Sequence, residues 1–228
     1  MLRKRFSIDD YNKKAAFEDA TKFFIVYEAE KKELKYFETF NYLFFEPKKA
    51  TILHVLEKDT EIIGSQPKKL IERAKSFIEN PPKDLKITPT EEDKFRFVLD
   101  VDDHPIEQFA ELNEYCKSLI DSSLYISNFC FEVWLYFHLD DQEKIVSKNS
   151  SQMKTELGEK HTEEKINNYP KGYLTTDRIK KAIERAENAD LEKNNYFPVE
   201  KSSKLYLLTK ELLEYSILNN SVDEEQIL

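Results

Sequence analysis

Hydrophobic residues in the first 140 positions form short apolar runs that alternate with helical apolar stripes. The apolar runs predict four buried strands, at 23–27, 51–56, 95–99 and 124–127. The stripes predict helices at 29–45, at 67–80, from Pro105 onward and at 131–139, the last apolar nearly all round. Strands that alternate with helices are typical of an α/β fold with a mainly parallel sheet and helices on both faces.

The pattern changes after about residue 140. Positions 140–168 are strongly polar, which leaves room for a mobile stretch, and two further helices are predicted at 175–193 and 204–218. The sequence therefore predicts an N-terminal tail at 1–20, an α/β core at 21–140 and a helical extension at 141–228 packed on that core.

The amino-acid composition excludes some classes of function. The 228 residues carry 44 Asp and Glu against 35 Lys and Arg, a net charge of −9, which excludes a globally basic nucleic-acid coat but not a local basic face. Three glycines cannot build a glycine-rich phosphate loop. Two cysteines without metal spacing, no leader-like start and no long apolar run predict a soluble cytoplasmic protein without a membrane span.

Acidic residues follow two of the predicted strands. Glu28 comes directly after the first strand, and Asp100 and Asp102 come directly after the third. If these strands are neighbours, the three carboxylates meet at the carboxyl edge of the sheet, with the two aspartates on the same side of an extended backbone. Clustered carboxylates repel unless a cation lies between them, and oxygen ligands favour Mg²⁺ or Mn²⁺. The predicted chemistry is metal-assisted phosphodiester hydrolysis, although acids after strands are also common caps.

A second group of polar residues surrounds this edge. Glu132 lies in an apolar helical turn, where a carboxylate is costly unless it is paired or bound to metal. Asn128 ends the fourth strand and is positioned to cap the next helix. Asp103 and His104 follow the acidic pair and, with Asn128, are candidates of second rank. For His104 and His138 a structural or peripheral role is favoured over metal binding. Trp134 is favoured as a core residue.

Three segments carry a resemblance to a known family. Residues 23–37 read Phe-Phe-Ile-Val-Tyr-Glu-Ala-Glu-Lys-Lys-Glu-Leu-Lys-Tyr-Phe, residues 97–105 read Phe-Val-Leu-Asp-Val-Asp-Asp-His-Pro, and residues 127–134 read Ser-Asn-Phe-Cys-Phe-Glu-Val-Trp. In this order and spacing they resemble the motifs of the RloB-like family over roughly residues 20–140. Ala29 stands where the family usually has Gly, and Phe129 where it usually has Pro.

The resemblance implies a Toprim-like core and Mg²⁺-dependent cutting of nucleic acid. It further implies a toxic effector of bacterial restriction or abortive-infection loci, working with a partner ATPase of the ABC or AAA class. By motif match, Glu28, Asp100 and Asp102 are the metal ligands and catalytic residues, and Glu132 is an additional ligand or base. Whether the substrate is DNA, tRNA or another RNA stays open, as does a homodimer.

A basic stripe offers a nucleic-acid contact. Arg178, Lys181 and Arg185 share one helical face, and Lys171 precedes them, although an ordinary solvated face is the favoured interpretation. Two other functions compete with the nuclease. One is a non-catalytic Toprim-like module that binds the ATPase or a phage protein, and a weaker one is metal-dependent phosphate chemistry on a small molecule.

Overall fold

A five-stranded sheet organises the chain in the computed structural model, which describes residues 21–28, 31–45, 51–56, 66–82, 89–90, 92–102, 104–164 and 169–216. The predicted tail at 1–20 and the last residues of the predicted extension lie outside the described residues. The strands are β1 (Thr21–Tyr27), β2 (Thr51–Val55), β3 (Lys94–Asp100), β4 (Asp121–Asn128) and β5 (Ser202–Ser203). The described α-helices are α1 (Lys31–Phe44), α2 (Pro67–Glu79), α3 (Ile106–Ser118), α4 (Phe131–Phe137), α5 (Ser150–Glu163), α6 (Thr176–Ala189) and α7 (Leu205–Glu214).

The strand order is β2-β1-β3-β4-β5, with β1 to β4 parallel and β5 antiparallel to β4. Tyr27 pairs with Val98, so the ends of β1 and β3 lie side by side. The condition on which the predicted acidic site depends, that the first and third strands are neighbours, is therefore met.

Helices cover both faces of the sheet and bury a separate core on each. Phe24 and Val26 of β1 pack with residues of α2 and α3. Phe23 and Ile25 point the other way and pack with α1, α4 and the C-terminal helices. The predicted α/β class, with a mainly parallel sheet, helices on both faces and a helical C-terminal region, is confirmed, and the architecture is consistent with a Toprim-like fold.

Helix α4 is buried on all sides, as its sequence predicts. Each of its seven residues is buried, and Trp134 is fully buried, as a core residue should be. His138, at the end of the helix, donates a hydrogen bond from Nδ1 to the Trp134 carbonyl at 3.0 Å and accepts one from the Tyr36 hydroxyl at 3.2 Å. The favoured structural role of His138 therefore fits its contacts.

Three elements of the described structure were not predicted. The predicted polar region contains a 3₁₀ turn, Gln142–Lys144, followed by α5. Asn149 is the N-cap of α5, and its side chain accepts a hydrogen bond from the Gln152 N–H at 3.0 Å. Helix α5 buries only Met153 and Leu157, too few apolar positions to show a helical stripe. Strand β5 has two residues, too short for an alternating pattern. In the described residues, no helix is long and apolar enough to cross a membrane.

Candidate acidic site at the carboxyl edge of the sheet

Glu28 and Asp100 meet at the ends of β1 and β3. The backbone N–H of Glu28 donates to the Val98 carbonyl at 3.0 Å, which continues the parallel ladder by one residue. Oε2 of Glu28 then accepts a hydrogen bond from the backbone N–H of Asp100 at 2.9 Å. Both carboxylates are buried, with 4% and 6% residue exposure. The sheet topology therefore brings together two of the three predicted metal ligands.

His104 completes the contacts of Glu28. Its Nε2 forms a hydrogen bond with Oε1 of Glu28, and its ring packs edge-on against Phe109. The histidine lies in the turn between β3 and α3, so its position follows from the chain leaving the sheet beside the acids. His104 thus contacts a predicted ligand directly, whereas Asp103 lies outside the described residues.

Asp102 occupies a different environment from Asp100. It lies in a turn with a φ of 34°, and its backbone N–H donates to the Phe129 carbonyl at 3.2 Å. Because the chain has left the extended strand, the argument that Asp100 and Asp102 point the same way along an extended backbone is wrong. Asp102 is exposed, and its Oδ1 accepts a hydrogen bond from the Ser150 hydroxyl at the start of α5.

Glu132 is paired with a lysine. It lies in the first turn of α4 and is buried, and its Oε1 accepts a hydrogen bond from Nζ of Lys32 at 2.5 Å. The hydroxyl of Tyr169 donates to the Lys32 carbonyl at 2.6 Å. The cost of a carboxylate on this apolar helix is therefore offset by an ion pair across to α1.

Glu33 is a buried acid that sequence reasoning missed. It lies in the first turn of α1, with 6% exposure. Burial, followed by repulsion from Glu132 and Glu28, raises the pKa of Glu33 to about 7. The signal was present in the sequence, because Glu33 follows the strand-end Glu28 by five residues. An acid in a first helical turn, however, usually serves the helix dipole.

Negative charge accumulates at this edge. Burial, followed by repulsion from Glu33 and Glu28, raises the pKa of Asp100 well above its usual range. Burial also raises the pKa of Glu28, although hydrogen bonds from the Asp100 N–H and His104 act in the opposite direction. Buried carboxylates with raised pKa values favour a proton or a cation.

The donor set is suited to a hard divalent cation, since Glu28, Asp100 and Asp102 offer only oxygen atoms. Their present arrangement is less complete. Asp102 is turned to Ser150, and among the described residues no three His, Cys, Asp or Glu side chains surround a single point. The chemistry of the donors thus fits Mg²⁺ or Mn²⁺, whereas their side-chain orientations serve hydrogen bonds within the protein.

Arg73 places a buried positive charge near Glu28. It projects from α2 with 4% exposure, and none of its three guanidinium nitrogens has a hydrogen-bond partner among the described residues. Burial lowers its pKa, while Tyr27 and Glu28 act in the opposite direction. Sequence reasoning missed Arg73 because it lies on a helix that carries no motif.

Asn128 does not cap α4. Its amide Nδ2 donates to the Pro198 carbonyl at 3.3 Å, and its backbone pairs with Ser202 of β5. The residue at the N-cap position of α4 is Cys130, which makes no side-chain capping bond. The sequence could not show this, because the partner lies 70 residues away in the extension.

The predicted basic stripe pairs with acidic residues other than Glu28, Asp100 and Asp102. Arg178 lies 3.6 Å from Glu164, Lys181 lies 3.2 Å from Asp177, and Arg185 lies 2.8 Å from Asp141. Arg178 and Arg185 act electrostatically on His138, at the opposite end of α4 from Glu132. Lys171 is exposed in the turn before α6. These pairings agree with the favoured interpretation of the stripe as an ordinary solvated face.

Comparison with known proteins gives one match. A family model described as RloB-like protein matches residues 23–212, a range that includes both the α/β core and the C-terminal helices. No curated protein and no solved structure matches the chain. Since the matched range covers most of the sequence, the chain belongs to the RloB-like protein family.

Proposed function

We propose that this member of the RloB-like family is a metal-dependent nuclease that hydrolyses phosphodiester bonds in nucleic acid. One observation carries the proposal: Glu28 and Asp100, from adjacent parallel strands, are buried in contact, and Glu33 raises the local negative charge further. Buried acids with raised pKa values at the carboxyl edge of a parallel sheet are typical of a functional site.

The roles follow from position. Glu28, Asp100 and Asp102 would hold Mg²⁺ or Mn²⁺, which when bound lowers the pKa of a coordinated water and neutralises phosphoryl charge. His104 orients Glu28 through their hydrogen bond. Glu132 neutralises Lys32 at 2.5 Å, so we assign it the positioning of that lysine in place of the ligand or base role predicted from its motif.

The test compares three proteins on a mixture of tRNA, single-stranded RNA and plasmid DNA. The wild type is expected to cleave at least one substrate in Mg²⁺ and none in EDTA. Glu28→Gln is expected to lower the rate about a thousandfold, since a metal ion supplies several kcal/mol of transition-state stabilisation. Glu114→Gln changes an exposed carboxylate on α3 in the same way and should leave the rate unchanged.

Two results would count against the nuclease. Equal cleavage by the wild type and Glu28→Gln would assign the activity to a contaminant or another site. No cleavage of any substrate, with or without an ATPase encoded beside the gene, would remove the basis for the proposal.

A non-catalytic interaction module is the second candidate. It is favoured by the contacts that already occupy the acids, because Asp102 binds Ser150 and Glu132 binds Lys32. This function requires that Asp100→Ala leave both toxicity in cells and partner binding unchanged, whereas the nuclease requires that toxicity disappear.

The biological setting is proposed from the family resemblance. We propose a toxic effector of anti-phage defence that cuts RNA, in particular tRNA, or DNA and is controlled by an ABC- or AAA-class ATPase. Co-expression with the neighbouring ATPase, followed by phage challenge of wild-type and Glu28→Gln cells, tests this setting. Equal phage yields from the two strains would argue against it.

A further inference from the structure

Helix α5, from the C-terminal extension, reaches the acidic site at its first residue. The Ser150 hydroxyl donates to Asp102, and the Ser150 carbonyl lies 4.0 Å from Sγ of Cys130, two residues before Glu132. Met153 and Leu157 are buried in the core shared with α4, which fixes the rotation of α5 about its axis. The first turn of α5 therefore has one defined face toward the acids.

Lys154 lies on this face. It follows Ser150 by four residues, a spacing that places two side chains one above the other on a helix. Lys154 is exposed. Partial burial lowers its pKa, but the negative charges of Glu132, Asp102 and Asp100 raise it, and the net shift is upward. Both the helix geometry and the electrostatics thus place its ammonium group toward the acidic site.

Lys154 differs from the other lysines around it. Lys32 is held by Glu132 at 2.5 Å, and Lys160, on the same helix, is held by Asp140 at 2.8 Å. In the part of the chain that the structure describes, no ion pair is formed by Lys154. Its charge acts on the acids from a distance and stays available for another anion.

A free positive charge is what the acidic site needs in order to bind a phosphate. A nucleic-acid phosphate that approaches Glu28, Asp100 and Asp102 meets repulsion, and a protein of net charge −9 gives no general attraction. A lysine on the rim compensates locally and favours the arrival of phosphate beside the carboxylates. The stripe on α6 is less suited, because three of its four basic residues already have acidic neighbours.

We propose that Lys154 is the phosphate-binding residue of the acidic site, contacting a phosphodiester oxygen of bound nucleic acid from α5. This inference rests on the proposed function, since it takes a phosphodiester as the ligand. It makes the C-terminal extension a wall of the site.

The experiment measures binding separately from cleavage. Short labelled single-stranded oligonucleotides of mixed sequence, as RNA and as DNA, are titrated with the full-length protein in Ca²⁺ at several salt concentrations. Lys154→Gln is expected to weaken binding about tenfold for every sequence and to reduce the log–log salt slope by about one. Lys154→Arg should retain binding. Lys117→Gln is the matched control, because it removes an equal charge from an exposed site on α3 and should change neither quantity.

The outcomes are separable. Equal affinity and salt slope for Lys154→Gln and the wild type would overturn the inference, as would a wild type that binds neither probe. A wild type that binds through Lys154 but fails to cleave any substrate in Mg²⁺ would remove the proposed nuclease and leave the phosphate contact standing. Cleavage that is unaffected by Lys154→Gln, with unchanged binding, would leave the nuclease and remove Lys154 from it.

Discussion

Strand β3 carries a buried charged residue at two positions, and the charges that surround these two residues differ. Arg96 lies toward the start of the strand, where its Nη2 donates to Oδ1 of Asp121 at 2.7 Å and to Oε1 of Glu211 at 2.6 Å. Asp100 lies at the end of the same strand, beside Glu28 and Glu33. One end of the strand matches opposite charges, and the other gathers like charges.

The difference separates structural charges from functional ones. Desolvation lowers the pKa of Arg96, but Glu211 and Asp121 more than compensate and the net shift is upward, so the charged form is favoured. At Asp100, burial and neighbouring acids disfavour the charged form. Arg96 is thus neutralised within the fold, whereas the Asp100 edge requires a proton or a cation from outside, which is typical of a site that binds one.

The largest effect is expected from a substitution that breaks the ion pairs of Arg96 at the start of β3. Arg96→Met should lower the free energy of unfolding by about 3 kcal/mol, because it leaves Asp121 and Glu211 without their buried partner. Both acids retain some solvent contact, which places the effect at the lower end of the range for buried pairs. Urea unfolding followed by circular dichroism measures the change.

Lys117→Met serves as the control for Arg96→Met, since it breaks an exposed pair with Glu114 and should change stability by less than about 0.5 kcal/mol. If the two variants lose similar stability, the pairing of Arg96 is not what holds this end of the sheet.

His138 is a buried neutral base, and its effect on stability is expected to be of intermediate size. Burial, with the positive charges of Arg178 and Arg185, lowers the pKa of His138 to about 3, although the Trp134 carbonyl acts in the opposite direction. A group whose folded pKa is lowered contributes stability above its unfolded pKa, near 6.5, and loses it as the pH falls toward 3. His138 should therefore cost the wild type about 2 kcal/mol between pH 6.5 and pH 5.

His138→Asn removes this titration and should flatten the stability profile by that amount, as measured by urea unfolding at each pH. The groups that face His138 stay in place in both proteins; they are Tyr36, Trp134, Tyr173, Arg178 and Arg185. Parallel profiles for the wild type and His138→Asn would show that His138 is accessible to protons in the folded state.

The smallest effect on stability is expected at Asp100, at the other end of β3, and it is a gain of stability. Asp100→Asn should raise the free energy of unfolding in EDTA by roughly 1 kcal/mol, because it removes a repulsive buried charge. If the proposed metal site exists, Mg²⁺ should stabilise the folded wild type, and the same variant should lack this stabilisation. Thermal unfolding in EDTA and in Mg²⁺ measures both changes.

Asp177→Asn, at the exposed start of α6, makes the same chemical change and should respond to Mg²⁺ as the wild type does. A loss of stability in Asp100→Asn in EDTA would contradict the comparison, because it would show that the charged form of Asp100 is held by contacts as favourable as those of Arg96.

The sequence predicted the fold better than the site. Apolar runs such as 23–27 and the buried helix predicted at 131–139 are local patterns, and the structure confirms both, with the helix at Phe131–Phe137. The contact of Glu28 with Asp100 was also accessible, since it needs only two parallel strands to be neighbours. Glu33, Arg73 and Lys154 were missed, because their importance depends on which helix packs against which edge of the sheet. The orientation of Asp102 was wrong because the strand ends two residues earlier, at Asp100.

Trp134, fully buried in α4, has a practical consequence for spectroscopy. It is the single tryptophan of the chain and lies two residues after Glu132, with its ring centroid 4.8 Å from that of His138. All tryptophan emission therefore originates at one point on the helix that borders the acidic edge. The proposed binding of cations and oligonucleotides, and the titration with acid, can therefore be tested by intrinsic fluorescence of the natural sequence, without an attached dye.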